Sequence, residues 1–326
     1  MGSSTPNSPA PDSATRPATW QLLLAFGIIY FVWGSTFLAI RIGVREVPPF
    51  LLAGIRFFVA GIVLLLWMRA KGTPWPTRRE WASASLVAVV IFVLDYGLLF
   101  WSERRVPSGI AAVMLATIPL FMALSEIVFL RTQRLTARLS FALLIGLGGV
   151  AVLVSRSLGL AEEPIDPYGA IALVIAACSW SGAAVLLRKL PLPASKPMSS
   201  AAQMLVGGVW LTITSAALGE YRGFDFHAVS RSAWLALAYL TVAGSIIAYT
   251  AYVWLLHHES PTKVGTYAYV NPVVAVVVGH FLGGEAIGRR TLLGTLLVLV
   301  SVIVITTTPA KKPNPVRLEE AAQTAE

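Results

Sequence analysis

The first long apolar run of the chain, WQLLLAFGIIYFVWGSTFLAI at residues 20–40, decides the class of fold. It contains no Asp, Glu, Lys, Arg or His. An α-helix needs about 20 consecutive apolar residues to cross the roughly 30 Å hydrocarbon core of a membrane. The run therefore predicts a transmembrane helix.

Nine further runs of similar length and character follow along the chain. They lie at residues 50–68, 82–101, 109–130, 139–155, 168–187, 198–218, 233–255, 263–282 and 291–308. These runs are apolar all round, whereas the strands of a membrane β-barrel would alternate apolar and polar residues. The sequence therefore predicts an all-α polytopic membrane protein with ten transmembrane helices.

The composition supports this class and excludes others. Apolar residues make up 56% and charged residues 13% of the chain, and the charged share is about half of the roughly 25% found in soluble domains. These values exclude a soluble enzyme, a disordered chain and a disulfide-stapled secreted domain. The single cysteine, Cys178, lies inside an apolar run and offers no redox or metal framework. We expect no bound cofactor and no metal site.

The basic residues behind the net charge of +9 lie mostly in short gaps between the apolar runs. This is the pattern of membrane-helix flanks and not of a nucleic-acid-binding face, so we expect no nucleic-acid partner. Lys and Arg are more frequent in the segments that are inside when the N-terminus is inside. We therefore expect an inner (plasma) membrane protein with both termini cytoplasmic, including a disordered tail at 1–19 and a tail at 309–326.

The two halves of the chain repeat each other. Equivalent positions carry the same residue at a nearly constant spacing: Trp33 and Trp180, Arg41 and Arg188, Tyr96 and Tyr249, and Pro119 and Pro272. Each half, 20–155 and 168–308, holds five helices, and because five is odd the second half must be inverted in the membrane. Inverted repeats are typical of secondary transporters, whose substrate site lies near the midplane. A duplicated scaffold without transport is the alternative.

Several segments carry a resemblance to a known family. They are WGST (33–36), IRIGV (40–44), AGIRF (53–57), VPSGIAAVMLATIPLF (106–121), GSIIAYTAY (244–252), TYAYVNPVVAV (266–276) and LGGE (282–285). Together they resemble the EamA family of the drug/metabolite transporter superfamily, and within it the inner-membrane exporters of the YedA type. The resemblance implies a central cavity between two five-helix repeats, open alternately to either side, and the export of amino acids, other metabolites or toxic compounds.

Ionisable residues inside the apolar runs are the first candidates for function, because a charge at the bilayer centre costs about 2.5–3.5 kcal/mol. Arg56 and Asp95 both lie about 9 Å below the outer surface, at about 1.5 Å of rise per residue. We expect them to pair, either to gate or bind a charged or zwitterionic substrate or only to fix helix packing. Asp95 is also the candidate for proton coupling. Glu126 and His280 are interpreted as interfacial, with proton coupling and titration near neutral pH as their respective alternatives.

Aromatic and small polar residues complete the predicted substrate path. They are Trp33, Ser35, Thr36, Tyr96, Trp180, Tyr249, Tyr267, Tyr269 and Asn271. Trp33 and Trp180 are expected to flank the cavity, with lipid-facing or packing roles as the alternative. Pro119 and Pro272 predict helix kinks that free backbone carbonyls, although such kinks can also serve bundle shape alone.

Other polar and small residues are interpreted as structural. Four glycines are expected to permit close approach of helices: Gly54, Gly61, Gly207 and Gly208. Glu285 is expected to favour the start of the tenth helix through the helix dipole.

The function that fits best is a secondary transporter that exports a small metabolite, amino acid or drug-like solute. No Walker motif is present, so ATP is not the direct energy source. The expected partners are the solute, membrane lipids and, as a candidate coupling ion, protons. A lipid-phosphate or phosphorylated-metabolite translocator is the alternative, and the scattered histidines argue against an enzyme.

Overall fold

The computed structural model of the protein describes residues 17–125, 127–128, 135–155, 165–259 and 261–307. Within these ranges the chain contains no strand, and ten long helices follow one another, with a 3-10 turn at Phe226–Ala228 before the eighth and a four-residue helix at Pro261–Val264 before the ninth. They are α1 (Thr19–Val44), α2 (Pro49–Ala70), α3 (Arg78–Ser102), α4 (Ser108–Ser125), α5 (Ala137–Val154), α6 (Pro167–Lys189), α7 (Lys196–Ala217), α8 (231–258), α9 (Tyr267–Gly283) and α10 (Arg289–Thr306).

The predicted class of fold is confirmed. In the described part of the chain, five helices are long and apolar enough to cross a membrane, namely α1 to α4 and α8, and α5, α6 and α9 supply shorter apolar helices. Glu126, which the sequence places near the end of the fourth run, lies outside the described residues.

The two halves meet where α2 crosses α7, and the crossing depends on glycine. A Cβ added at Gly61 would overlap the backbone nitrogen of Leu205, and one added at Gly208 would overlap the backbone nitrogen of Phe58. Gly61 corresponds to Gly208 in the repeat, and Phe58 corresponds to Leu205. The two contacts are therefore equivalent to each other under the repeat. The packing role predicted for these glycines is confirmed.

A second crossing joins α5 to α10, which are also equivalent helices. Here a Cβ at Gly146 would lie 2.5 Å from Ser301 Oγ, and a Cβ at Gly149 would lie 2.9 Å from a methyl group of Val298. These two contacts also exchange with each other under the repeat. Such pairwise exchange is what two similar halves related by an approximate two-fold axis produce.

The middle of α3 and the middle of α8 are wound more widely than an α-helix. Residues Val89–Gly97 and Leu240–Ile247 form π-helical turns at equivalent places in the two halves. Such turns are rare and occur frequently at functional sites. The sequence does not predict these turns, because their residues are as apolar as those of an ordinary transmembrane helix.

The two helices predicted to be kinked by proline differ. In α4 the helix is interrupted at residues 116–117, just before Pro119, whereas α9 continues through Pro272 from Tyr267 to Gly283. A proline withholds one hydrogen bond from the preceding turn in either case. The interruption in α4 lies in the turn before Pro119, whereas the break before α9 lies at residues 265–266, after the short helix Pro261–Val264 and farther from Pro272.

The connections 45–48, 103–107, 218–230 and 284–288 lie on one side of the molecule, which we call the latch face. It is the side at which α2, α4, α8 and α10 begin. The opposite side is the one at which α3, α5 and α7 begin, and there the caps are local: Thr77, Thr136 and Ser195 each accept a hydrogen bond from their own helix.

Candidate functional site

Arg56 of α2 lies inside the helix bundle with 4% of its surface exposed. Its Nε donates a hydrogen bond of 2.9 Å to Ser245 Oγ in the π-helical segment of α8. The guanidinium carbon lies 4.6 Å from the ring centre of Phe57 and 5.8 Å from that of Tyr96, close enough for cation–π attraction. Nη1 is buried and has no hydrogen-bond partner. One donor of the guanidinium is therefore free to receive an anionic group.

Asp95 lies in the π-helical segment of α3, is 2% exposed, and has a buried Oδ1 without a hydrogen-bond partner. Both Asp95 and Arg56 belong to the described part of the chain, and no ion pair joins them. The predicted pair is therefore wrong. Depth along a regular helix suggested it, but Asp95 lies in a π-helical segment, where the residue spacing of a regular α-helix does not hold.

Gly244 of α8 brings three predicted site residues together. Trp33 Nε1 donates to the carbonyl oxygen of Gly244 at 3.1 Å. A Cβ at Gly244 would lie 3.0 Å from Thr36 Cγ2 and 3.3 Å from Arg56 Nη2. The absence of a side chain at this position therefore lets α1 and α2 approach α8 at the level of Arg56.

Aromatic rings line both sides of this region. On one side the ring centre of Trp33 lies 5.3 Å from that of Tyr252 and 5.0 Å from that of Tyr267. On the other side Tyr96 lies 4.6 Å from Phe57 and 6.2 Å from Trp180. The repeat-related tryptophans thus belong to two separate aromatic groups.

The other predicted path residues have different surroundings. Ser35 Oγ and Tyr239 OH are hydrogen-bonded at 2.7 Å, which ties α1 to α8. Tyr249 is bonded through its hydroxyl to Ser200 at the start of α7, and Tyr269 packs against the main core. Asn271 has a buried Oδ1 without a partner. Asn271 therefore keeps a free acceptor, whereas Ser35 and Tyr249 hold helices together.

Sequence reasoning missed Gly244, Ser245 and Tyr252. The signal was present in GSIIAYTAY (244–252), where a glycine and a serine interrupt an apolar run. That segment served only to carry a family resemblance, because its partners lie on other helices far away in the sequence.

A cavity of about 580 Å³ lies between α4 and α6. Phe121, Ser125, Cys178, Ser181 and Lys189 are among the residues that line it. These residues belong to the last part of α4 and to the second half of α6 from its middle onward, so the cavity lies toward the side opposite the latch face. Its wall is mostly apolar, with one cationic side chain at the end of α6.

Each of the four connections of the latch face carries a glutamate, and three of these glutamates hold the start of a distant helix. Glu46 accepts hydrogen bonds of 2.6 Å from Ser230 N and Oγ at the start of α8. Glu220 accepts from Leu51 N in the first turn of α2 at 3.1 Å. Because free N–H groups at a helix start favour anions, each bond also neutralises a helix end.

Glu285 is the third of these glutamates. Its carboxylate accepts from Ser108 N at 2.8 Å and Gly109 N at 3.0 Å, and Arg41 Nη1 lies 3.2 Å away. The expectation that Glu285 favours the start of α10 is therefore corrected, because it caps α4 instead. His280 is exposed, and its Nδ1 is bonded to the backbone oxygen of Glu285 at 2.8 Å.

Comparison with known proteins agrees with this architecture. The model of the EamA-like transporter family matches residues 19–155 and again residues 167–307. The chain belongs to this family. The resemblance drawn from the sequence motifs is confirmed, and as an EamA-like transporter the protein is a membrane transporter.

Two relatives show how far the likeness extends. The uncharacterized inner membrane transporter YedA of Escherichia coli (strain K12) is 38% identical over 292 residues, which cover 88% of this chain and 92% of YedA. The uncharacterized transporter YoaV of Bacillus subtilis (strain 168) is 22% identical, over 90% of this chain and 99% of YoaV. Both names describe transporters, and neither names a solute.

A solved crystal structure of another protein is similar to this EamA-like transporter over 91% of this chain and 100% of its own chain. The TM-score is 0.56 and the sequence identity is 21%. At this identity the likeness shows the fold alone.

Proposed function

We propose that the protein is a secondary transporter of the inner membrane that exports a small organic solute carrying both an acidic and a basic group, as an amino acid does. The observation that carries this proposal is the pair of unsatisfied polar atoms at Arg56 and Asp95. Buried polar groups are almost always hydrogen-bonded, so two free ones of opposite character indicate that a ligand completes them.

The chemistry of the two residues selects the solute class. Arg56 Nη1 is a donor suited to a carboxylate, and Asp95 Oδ1 is an acceptor suited to an ammonium group. Because Arg56 is already held by Ser245, its free donor has a fixed direction. The rings of Tyr96 and Phe57 beside the guanidinium exclude water from it and strengthen a charge-assisted bond.

Alternating access is supported by the unlike ends of the molecule. On the latch face, glutamates join connections to the starts of α2, α4 and α8. On the opposite side a cavity separates the ends of α4 and α6. With both termini cytoplasmic, as the basic residues predict, the cavity faces the cytoplasm and a solute enters there for export.

A lipid-phosphate or phosphorylated-metabolite translocator is less well supported. A phosphate group calls for several cationic or N–H donors converging on it. The buried centre instead places one arginine in the same bundle as Asp95, whose carboxyl group would repel a phosphate.

The experiment is a growth-protection screen with amino acids and their toxic analogues, followed by flux in proteoliposomes. When the protein protects cells against an amino acid, the flux of that amino acid is compared with the fluxes of its methyl ester and of its N-acetyl derivative. We expect flux of the parent protein to fall at least tenfold for both derivatives, because each lacks one of the two charges.

Two variants test which residue binds which charge of the solute. Asp95→Asn is expected to lose the preference for the amino acid over the N-acetyl derivative, and Arg56→Gln the preference over the methyl ester. The exposed Arg78→Gln, at the start of α3, is the matched control and is expected to behave as the parent. Equal flux of all three solutes in the parent, or unchanged preferences in both variants, would contradict the proposal.

A further inference from the structure

Glu103, in the connection between α3 and α4, differs from the other three glutamates of the latch face. It is 1% exposed, and neither of its carboxyl oxygens makes a hydrogen bond of ordinary geometry, although the backbone N–H of Arg41 lies close enough to oppose the rise of its pKa. Glu46, Glu220 and Glu285 each accept bonds from a helix start. An ionised carboxylate buried in this way is strongly disfavoured, so burial favours the neutral, protonated form of Glu103.

The charged groups that act on Glu103 come from two other elements. Glu285, in the connection between α9 and α10, is held by Ser108 and Gly109 at the start of α4. Arg41 of α1 lies 3.2 Å from Glu285 and forms an ion pair with it. The two backbone N–H groups at the start of α4 and the guanidinium of Arg41 therefore already engage the carboxylate of Glu285. Glu103 lies within electrostatic range of both groups, and the negative charge of Glu285 acts against the ionised form of Glu103.

The basic and acidic groups nearest to Glu103 along the chain act elsewhere. Arg105 stacks on the ring of Trp101 at 3.8 Å and is exposed. Asp166, which lies at the start of α6 next to this connection, accepts from Gly169 N in its own helix. Burial and, after it, the charge of Glu285 raise the pKa of Glu103 well above its ordinary value, and Arg41 opposes this rise.

We propose that Glu103 is a proton-binding site that controls the latch face: with a proton on Glu103 the face is closed, and when that proton is lost the face opens. A neutral carboxyl group removes the repulsion from Glu285 and the cost of burying a charge. An ionised Glu103 gains by moving into water, which separates the connection 103–107 from α1 and from Glu285. This proposal for Glu103 rests on the alternating access of the proposed function but not on the class of solute.

The direction of the pH effect follows from linkage. In the closed face the pKa of Glu103 is raised, and in an open, hydrated face it returns toward the ordinary value of a glutamate. Between these two values the closed state binds one more proton than the open state. Acidification therefore stabilises the closed face, and each pH unit of alkalinisation shifts the equilibrium toward the open face by up to about tenfold.

The test uses the accessibility of the seam between α1 and α9. Leu38 is 8% exposed, and its Cδ1 lies 2.8 Å from where a Cβ at Gly283 would be. Since Cys178 is the only cysteine of the sequence, the full chain with Cys178→Ser and Leu38→Cys carries one reporter thiol. Its rate of reaction with a maleimide is measured in lipid nanodiscs across a pH series.

The rate is compared at each pH with that of the same protein carrying Glu103→Gln, so that the pH dependence of thiol chemistry cancels. We expect the rate of the parent divided by that of Glu103→Gln to be near one in acid and to rise with pH by up to about tenfold per unit. Glu80→Gln, which alters the local cap of α3 on the opposite side, is the matched control and should keep the behaviour of the parent.

Three outcomes would overturn the proposal: a ratio that stays flat across the pH series, a Glu80→Gln effect equal to that of Glu103→Gln, or a response to sodium at constant pH in place of the response to protons. If Glu103→Gln does not fold, Glu103→Met provides a second uncharged side chain of similar length. Since labelling needs no solute, failure here leaves export standing, and failure of the flux assay leaves the proton site standing.

Discussion

At the residue scale, the charged core residues and their partners were predictable to different degrees. Arg56 and Asp95 stand out in any reading of the sequence, because a charge in an apolar run needs a compensating environment. Their partners do not stand out. Arg56 bonds Ser245, which is 189 residues away in the chain, and no spacing rule connects positions so far apart.

The glutamates of the latch face were overlooked for a related reason. A polar residue in a connection is the ordinary case, so the sequence does not distinguish Glu46, Glu103 and Glu220 from other residues of the connections. Glu285 was noticed but was assigned to the helix that follows it, whereas it caps a helix start 177 residues earlier. A carboxylate favours any helix start that lies near it, and the sequence alone does not show which start is near.

Gly244 supports the first prediction. We expect Gly244→Ala to reduce solute flux severalfold while expression and folding stay near those of the parent. The added methyl group would lie 3.0 Å from Thr36 and 3.3 Å from Arg56 Nη2, and a displaced guanidinium presents its free donor in the wrong direction. Flux in proteoliposomes at matched protein content measures the effect.

Gly27→Ala is the control for this variant, because a Cβ at Gly27 of α1 meets nothing within 4 Å. Gly27→Ala is expected to retain parental flux. Parental flux in Gly244→Ala would mean that transport does not depend on the position of the Arg56 guanidinium beside Gly244.

At the element scale, helix number and order were predictable because each apolar run is long and is separated from the next by charged or turn residues. The crossing glycines were predictable as packing residues for the same reason: in lipid, helices gain from close backbone approach and not from apolarity. The π-helical turns were not predictable. Their side chains are as apolar as those of neighbouring turns, and the winding is set by what packs against α3 and α8.

The α2–α7 crossing supports the second prediction. We expect Gly208→Ala to lower the thermal stability of the detergent-solubilised protein, at a cost of about 1–3 kcal/mol for overpacking. The new Cβ would overlap the backbone of Phe58, which a rotamer change cannot relieve. Gly148→Ala on α5, where a Cβ meets nothing within 4 Å, is the matched control and should not lower the stability. Equal melting temperatures for the two variants would show that the crossing tolerates separation.

At the scale of the whole molecule, equivalent contacts of the two halves are preserved near the middle. A Cβ at Gly34 of α1 would lie 3.1 Å from the carbonyl oxygen of Asn271 on α9. At the equivalent place in the other half, Ser181 Oγ of α6 bonds the carbonyl oxygen of Ile118 on α4 at 3.4 Å. Away from these contacts the halves differ, since Leu38 packs at Gly283 near the ends of α1 and α9, whereas a cavity of about 580 Å³ lies between α4 and α6.

This difference between similar halves is what alternating access needs, because one seam must open as the other closes. It leads to the third prediction, that fixing the α1–α9 seam stops transport. With Cys178→Ser as background, Leu38→Cys and Gly283→Cys place two thiols across the seam. We expect oxidation to join them, since the Leu38 side chain already contacts Gly283, and to reduce flux at least tenfold.

A reductant should restore the flux, and each single-cysteine variant should be insensitive to oxidation. The reversal separates a locked seam from a damaged protein, because a misfolded double variant would stay inactive in both states. If the oxidised protein forms the disulfide completely and still carries solute at the parental rate, then α1 and α9 do not separate during the cycle. The solute would then have to leave by a route that bypasses the latch face, and the closed and open ends of this structure would not represent one half of a transport cycle.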